Sequence, residues 1–294
     1  MSFNVTTHFV QQYTTNVQML LQQKGSKLRN TVSVGSYNGK AAKAVEQIGP
    51  VNAQKRTIRH ADTPLISTPA DARWVFPNDY EWADLIDDQD KLRMLIDPQS
   101  AYAQNGAYAL GRAMDDEIVT SFFGTSKTGE NGSTDTAFAT ATQEVGQAVG
   151  STGATGLNIA KLREAKRILM ANEVDIDNEQ LFVVITAQQH DDLLNEAQAI
   201  SLDYNTRPVL VDGKITAFMG FNFVHCERLP VDGSSYRRVP AYAKSGVHLG
   251  MWNDINTQIS MRDDKGYATQ VYVKGTFGAT RTEEKKVVEI KCAE

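Results

Sequence analysis

Apolar residues along this chain recur with two rhythms, and the places where one gives way to the other divide it into parts. Within residues 7–23, Phe9, Tyr13, Val17, Leu20 and Leu21 stand four, four, three and one apart, which predicts an amphipathic helix ended by Gly25. From Asn30 to Pro77 the helical period is lost. Short alternating or β-branched pieces are punctuated there by Gly35, Gly39, Gly49, Pro50, Pro64, Pro69 and Pro77, which predicts an extended, hairpin-like excursion with no helix of consequence. Its polar, basic tip around Lys55 to His60 cannot bury much of itself, so such an arm packs on something else, within the chain or in a neighbour.

The strongest local signal follows. Asp97 is a good N-cap and Pro98 suits the first helical position. Ala103, Ala107, Leu110, Met114, Ile118 and Phe122 then recur at spacings of four, three, four, four and four until Gly124. The predicted helix, 98–123, would be a rod of roughly 39 Å at the α-helical rise, with a single apolar stripe. Residues 124–156 hold 7 Gly, 8 Thr and 3 Ser, so a loop or floppy connection is expected. Asn158 then caps a helix to about Ala171, with Leu157 and Leu162 placed as a hydrophobic staple. Leu181–Ile185 reads as a buried strand, and Thr186 with Gln189 as the capping box of a helix carrying Leu193, Leu194 and Ala197. Further strands are expected at Val209–Val211, Thr216–Cys226, Val247–Trp252, Asn256–Met261, Tyr267–Phe277 and Val287–Cys292, with turns at Asp212-Gly213 and at Asp263–Gly266. No repeat of fixed period exists, which excludes solenoids and propellers.

With 294 residues the chain has room for one large domain or two modest ones, and 41% hydrophobic with 22% charged residues excludes disordered, collagenous and disulfide-scaffold classes. Apolar runs as short as Leu181–Ile185 cannot cross a bilayer. The first 20 residues lack the charged start and apolar stretch of a secretory signal, as expected of a cytoplasmic product. Cys226 and Cys292, the two cysteines, form no CxxC pair and are expected to be reduced thiols. The net charge of −5 conceals an asymmetry. Residues 1–60 carry eight basic residues (Lys24, Lys27, Arg29, Lys40, Lys43, Lys55, Arg56, Arg59) against one acid, Glu46, while the remainder carries 22 basic and 34 acidic residues. A basic front on an acidic body can attract another copy of the same chain, an acidic partner or nucleic acid.

Candidate chemistry is sparse. No serine stands in a Gly-x-Ser-x-Gly elbow, and His8, His60, His190, His225 and His248 are too far apart for a local metal pair. Lys127 and Thr128 within Gly124–Gly129 lack phosphate-loop spacing and follow a helix instead of a strand, and Gly150, Gly153 and Gly156 miss the dinucleotide fingerprint. The carboxylates Asp79, Glu81, Asp84, Asp87, Asp88 and Asp90 match no EF-hand; a solvated acidic face, or one that pairs with a basic neighbour, is expected. His225 and Cys226 are adjacent on a predicted strand and point to opposite faces, which is poor placement for a proton-sharing pair. No catalytic, metal or cofactor site is expected.

The order of these parts resembles the major capsid protein of tailed double-stranded DNA bacteriophages, with its HK97-type fold. The likeness rests on Asp79-Tyr80-Glu81-Trp82-Ala83-Asp84-Leu85-Ile86-Asp87 running into Leu95-Ile96-Asp97-Pro98, then on Ala109-Leu110-Gly111-Arg112-Ala113-Met114-Asp115-Asp116-Glu117-Ile118, which look like the entry to the family's spine helix. Asn158–Arg167 followed by Leu181–Ala187 looks like the entry to its apical domain. The resemblance implies an α+β fold: an N-terminal arm (1–30), an extended β-hairpin loop reaching over a neighbouring subunit (31–78), a peripheral domain (79–156) with spine helix 98–123, an α/β apical domain (157–246) whose loops meet at the centres of pentamers and hexamers, returning peripheral-domain strands (247–283) and a terminal strand (284–294). It implies a structural role, assembly of an icosahedral shell around packaged DNA in the virion, with no enzymatic activity.

Within that reading Lys55, Arg56 and Arg59 are expected to meet Asp84, Asp87 and Asp88 of another copy. A separate scaffolding protein and a portal protein are the other implied partners, since no propeptide of about a hundred residues precedes the arm. DNA contact would be sequence-independent, assembly would take place in the host cytoplasm, and no membrane is involved. Two alternatives stay open on the residues. One is an encapsulin-type nanocompartment, which resembles the same fold but encloses cargo enzymes. The other is a soluble enzyme built from the Asp79 to Asp97 cluster and a distant histidine, which would run as a small oligomer.

Overall fold

The computed structural model describes residues 21–59, 62–63, 65–86, 99–196, 210–211 and 214–294. Most of the helix expected over 7–23 lies outside these residues, as do Asp97 and Pro98. Leu21, Gln22 and Gln23, which that helix was expected to include, are not helical.

The described chain begins with β1 (Ser33–Ser36), β2 (Ala42–Ile48), β3 (Ala70–Val75) and β4 (Asn78–Ile86), followed by the long helix α1 (Gln99–Phe123). Next come β5 (Ser126–Thr128), β6 (Thr134–Thr136), the single turn α2 (Thr140–Gln143), β7 (Glu144–Val145), α3 (Ile159–Ala171), β8 (Leu181–Ile185) and α4 (Ala187–Asn195). The last part is strand: β9 (Leu210–Val211), β10 (Lys214–Ile215), β11 (Ala217–Phe218), β12 (Phe221–His225), β13 (Arg237–Ala243), β14 (Val247–Arg262), β15 (Ala268–Arg281) and β16 (Val287–Cys292). The strands form a six-stranded mixed sheet ordered β11-β12-β8-β13-β16-β7, four-stranded sheets ordered β1-β14-β15-β4 and β2-β3-β5-β6, and the pair β9-β10. The class is α+β.

The chain divides into two compact units, residues 1–26, 79–112 and 253–275 in the first and 27–78, 113–252 and 276–294 in the second. In the first unit, Gly106 of α1 meets Trp82 of β4 and Val273 of β15 so closely that a Cβ there would lie 2.5 Å from the indole and 2.7 Å from the valine methyl. That contact explains a glycine in a helix interior, where it costs about 1 kcal/mol relative to alanine. In the second unit Met114, Ile118 and Phe122 continue the predicted stripe of α1 and are fully buried. The carbonyls of Ser121, Phe122 and Gly124 accept from Nη1 of Arg281, a guanidinium with no solvent exposure. Those carbonyls are the ones a helix C-terminus leaves unsatisfied, and their partial negative charge suits a cation.

The helices and central strand of the six-stranded sheet begin as the sequence predicts. Asn158 accepts from Lys161 N to start α3, Leu157 and Leu162 are buried, β8 is buried along its whole length, and Thr186 with Gln189 closes a capping box on α4. Three expectations are corrected. Residues 124–156 are not a floppy connection, because their threonines and backbone extend existing sheets: β5 pairs with β3 and β6, β7 pairs with β16, and Thr128 and Thr136 hydroxyls bond at 3.1 Å. The strand expected over Thr216–Cys226 is a hairpin, broken where Met219 and Gly220 both take positive φ (54° and 85°), as a two-residue turn requires. The two strands expected between Val247 and Met261 are one, β14, whose partners β1 and β15 hold it straight through.

Candidate assembly surfaces

Some of the most exposed apolar residues of the second unit, with the exposed Lys55, Arg56 and Arg59, stand in or beside one loop. β2 and β3 pair antiparallel, with a register shift at Lys43/Val45, and their connection, residues 49–69, projects without regular structure among its described residues. Its neck is tight, Gly49 N donating to Pro69 O at 2.7 Å, and a Cβ at Gly49 would meet the Pro69 ring at 2.7 Å. The base is anchored to the unit on several sides. Gln47 Nε2 donates to Thr282 O at 2.6 Å, Trp74 Nε1 to Gly129 O at 2.7 Å, and the buried Arg73 pairs with Glu284 at 2.7 Å. A groove of about 510 Å³ runs beside this base, lined by Ile48, Pro50, Pro69, Arg73 and the turn 282–286.

Beyond the neck every residue from Val51 to Arg59 is exposed, including Lys55, Arg56 and Arg59. Arg56 Nε donates to Ile58 O at 3.2 Å. Leu65 is 99% exposed, Ile48 78% and Ile58 69%, so the loop displays apolar side chains beside its cations. A fixed base with an uncovered tip is the geometry of a docking element, since apolar area of this kind is stabilised only when something covers it.

The expected acidic counterpart is partly visible, in the first unit. Asp79, Glu81 and Asp84 stand on β4, whereas Asp87 and Asp88, with Asp90, lie outside the described residues. Strand alternation puts Asp79 and Glu81 on one face and Asp84 on the other, so the three do not form one carboxylate cluster. Glu81 accepts from Tyr272 Oη at 2.9 Å, and this bond, with burial and the negative charges of Glu81 and Asp79, raises the phenol above its ordinary range. Asp84 accepts from Leu85 N at 2.9 Å.

The candidate chemical residues of the sequence are placed as follows among the described residues. His225 is exposed while its neighbour Cys226 is fully buried, as alternation requires. Burial pushes the Cys226 thiol up and carries that of Cys292 up to about 12, far from nucleophilic range. Both are free thiols. No group of three or more His, Cys, Asp or Glu side chains among the described residues could hold a metal ion. Lys127, the candidate phosphate-loop lysine, lies on a strand and pairs with Asp135 at 2.6 Å. Lys161, buried with its pKa lowered mainly by desolvation, gives its three ammonium hydrogens to the carbonyls of Thr155, Gly156 and Lys291, a structural use.

A family model for phage capsid proteins matches residues 5–294, and the chain belongs to that family. Its fold is HK97-like. It superposes on the capsid of the cyanophage P-SCSP1u with a TM-score of 0.73 at 16% identity, covering 100% of this chain and 96% of that one. The capsid subunit of cyanophage Pam1 gives 0.72 at 12% identity, with 99% and 98% covered. A chain of Mycobacterium phage Che8 gives 0.70 at 14% identity, with 98% of each covered. No protein of curated function matches. The protein is therefore a structural capsid shell subunit, located in the virion.

Proposed function

We propose that copies of this chain gather as pentamers and hexamers and close into an icosahedral head around double-stranded DNA, with the loop 49–69 lying on a neighbouring subunit. The observation that carries this reading is the loop itself, anchored at its base and uncovered at its tip in a chain whose family forms capsids. Lys55, Arg56 and Arg59 face carboxylates of the next copy, Asp84 with Asp87 and Asp88, and Ile58 and Leu65 are covered in the same step. A separate scaffolding protein and a portal complete the assembly in the host cytoplasm, and DNA is held without sequence preference through salt-sensitive contacts. The chain carries out no catalysis in this account. No observation favours a cargo-enclosing nanocompartment or an enzyme.

The test is negative-stain microscopy of the purified chain with and without its scaffolding protein. Rings of five and six subunits or closed shells are expected; a monomer or dimer in every condition would sink the reading.

A further inference from the structure

We propose that Asp115 and His248 are positioning residues that fix the path of segment 27–37, and with it the point from which the β2-β3 hairpin starts. Asp115 lies within α1 with no exposure, like its helix neighbours Met114 and Ile118. Aspartate is a poor residue for a helix interior, and a buried carboxylate needs partners. Its two oxygens are given to successive backbone amides, Oδ2 accepting from Lys27 N at 3.0 Å and Oδ1 from Leu28 N at 3.1 Å.

Five residues beyond Leu28, a second clasp begins on the same segment. His248 uses both ring nitrogens, Nδ1 with Ser33 Oγ at 2.9 Å and Nε2 with Tyr37 Oη at 2.8 Å. Gly35 sits beneath that bond; a Cβ there would lie 2.9 Å from both Nε2 and the phenol oxygen, so a larger residue would separate them. Between the clasps, Thr31 Oγ1 bonds Tyr242 Oη at 2.6 Å.

Burial alone would hold this segment loosely in register. Leu28 and Val32 are buried, and apolar anchors tolerate sliding, whereas β1 pairs with β14 in one parallel register, Ser33 opposite His248. A slip of one residue would carry Ser33 and Tyr37 away from His248, while Asp115 anchors the backbone at the point where the register is set. The polar clasps therefore specify position where the apolar contacts supply only adhesion. Their importance for assembly rests on the reading that the projecting segments engage a neighbour.

Asp115→Asn replaces one acceptor oxygen by a donor facing an amide, and Gly35→Val acts on the other clasp without touching the first. Amide exchange in both variants is expected to lose at least tenfold protection at residues 27–37 while Leu181–Ile185 stays within twofold, and the folded subunits should give open or irregular shells. Wild type is assembled in parallel. If it too forms no shells, the assembly reading fails and the exchange result alone judges the clasps. Unchanged exchange in both variants overturns the proposal. So does loss of protection across every strand, which would make Asp115 a general core element, and so do loosened segments in normal shells.

Discussion

Two buried ionisable side chains show how single residues hold this subunit together. Arg281 closes the C-terminus of α1 through three carbonyls and approaches Glu284, which also pairs with Arg73. Burial lowers its pKa, the largest influence on it, ahead of the charge of Glu284. Arg281→Met would leave those carbonyls orphaned and Glu284 with one partner. We expect a loss of about 3 kcal/mol in denaturant unfolding, against less than about 0.5 kcal/mol for the exposed Arg167→Met. His248 predicts a pH dependence. Burial disfavours its charged form and lowers its folded pKa below the unfolded value of about 6.5. The unfolded chain then binds the extra proton first, so this contribution is complete above about pH 6.5 and is lost as pH falls below it. Wild type should lose more stability between pH 7.5 and 5.5 than His248→Gln; equal losses would refute the assignment. Neither residue was legible in the sequence. Arg281 and His248 find partners as far as 160 and 215 residues away, and no local pattern encodes so distant a bond.

Elements were legible where local forces decide them. Apolar period and capping placed α3, the start of α4, the end of α1, β8 and β16 within about a residue of their observed bounds, whereas α4 stops at Asn195, before the Ala197 it was expected to carry, because Glu196 is extended. The Gly/Thr-rich stretch 124–156 was misread because its short strands exist only as extensions of β3 and β16, a tertiary effect. Gly106 tests the packing of α1 with β4 and β15 directly. In an ordinary helix interior Gly→Ala stabilises by about 1 kcal/mol. Here the added methyl would strike Trp82 and Val273, so Gly106→Ala should instead destabilise by about 1–3 kcal/mol in thermal or chemical unfolding. A stabilised variant would refute the contact. The hairpin calls for the opposite result. Lys55, Arg56 and Arg59 are exposed, so changing all three to glutamate should leave subunit stability nearly unchanged and abolish closed shells.

At the scale of the whole molecule the charge division is the feature that composition exposed and the fold makes intelligible. Eight basic residues and one acid occupy the first 60 positions of a chain whose net charge is −5. Three of those eight cations, Lys55, Arg56 and Arg59, lie on the exposed loop of the hairpin, while Lys43 stands on β2 and pairs with Glu46. A surface of this kind is complementary to the acidic remainder of another copy, and opposite charge guides encounter and register more than it adds affinity. The loop's location and exposure were readable from its breakers and polarity. The acidic acceptor proposed for it is seen only in part, since β-strand alternation divides Asp79 and Glu81 from Asp84 and the remaining acids lie outside the described residues. The most direct test of the central claim is negative-stain microscopy of the wild-type chain beside the Lys55, Arg56 and Arg59 charge-reversal variant, both assembled with scaffolding protein at low salt. The account predicts closed, uniform shells from the wild type and only unassembled, folded subunits from the variant; uniform closed shells from both would contradict it.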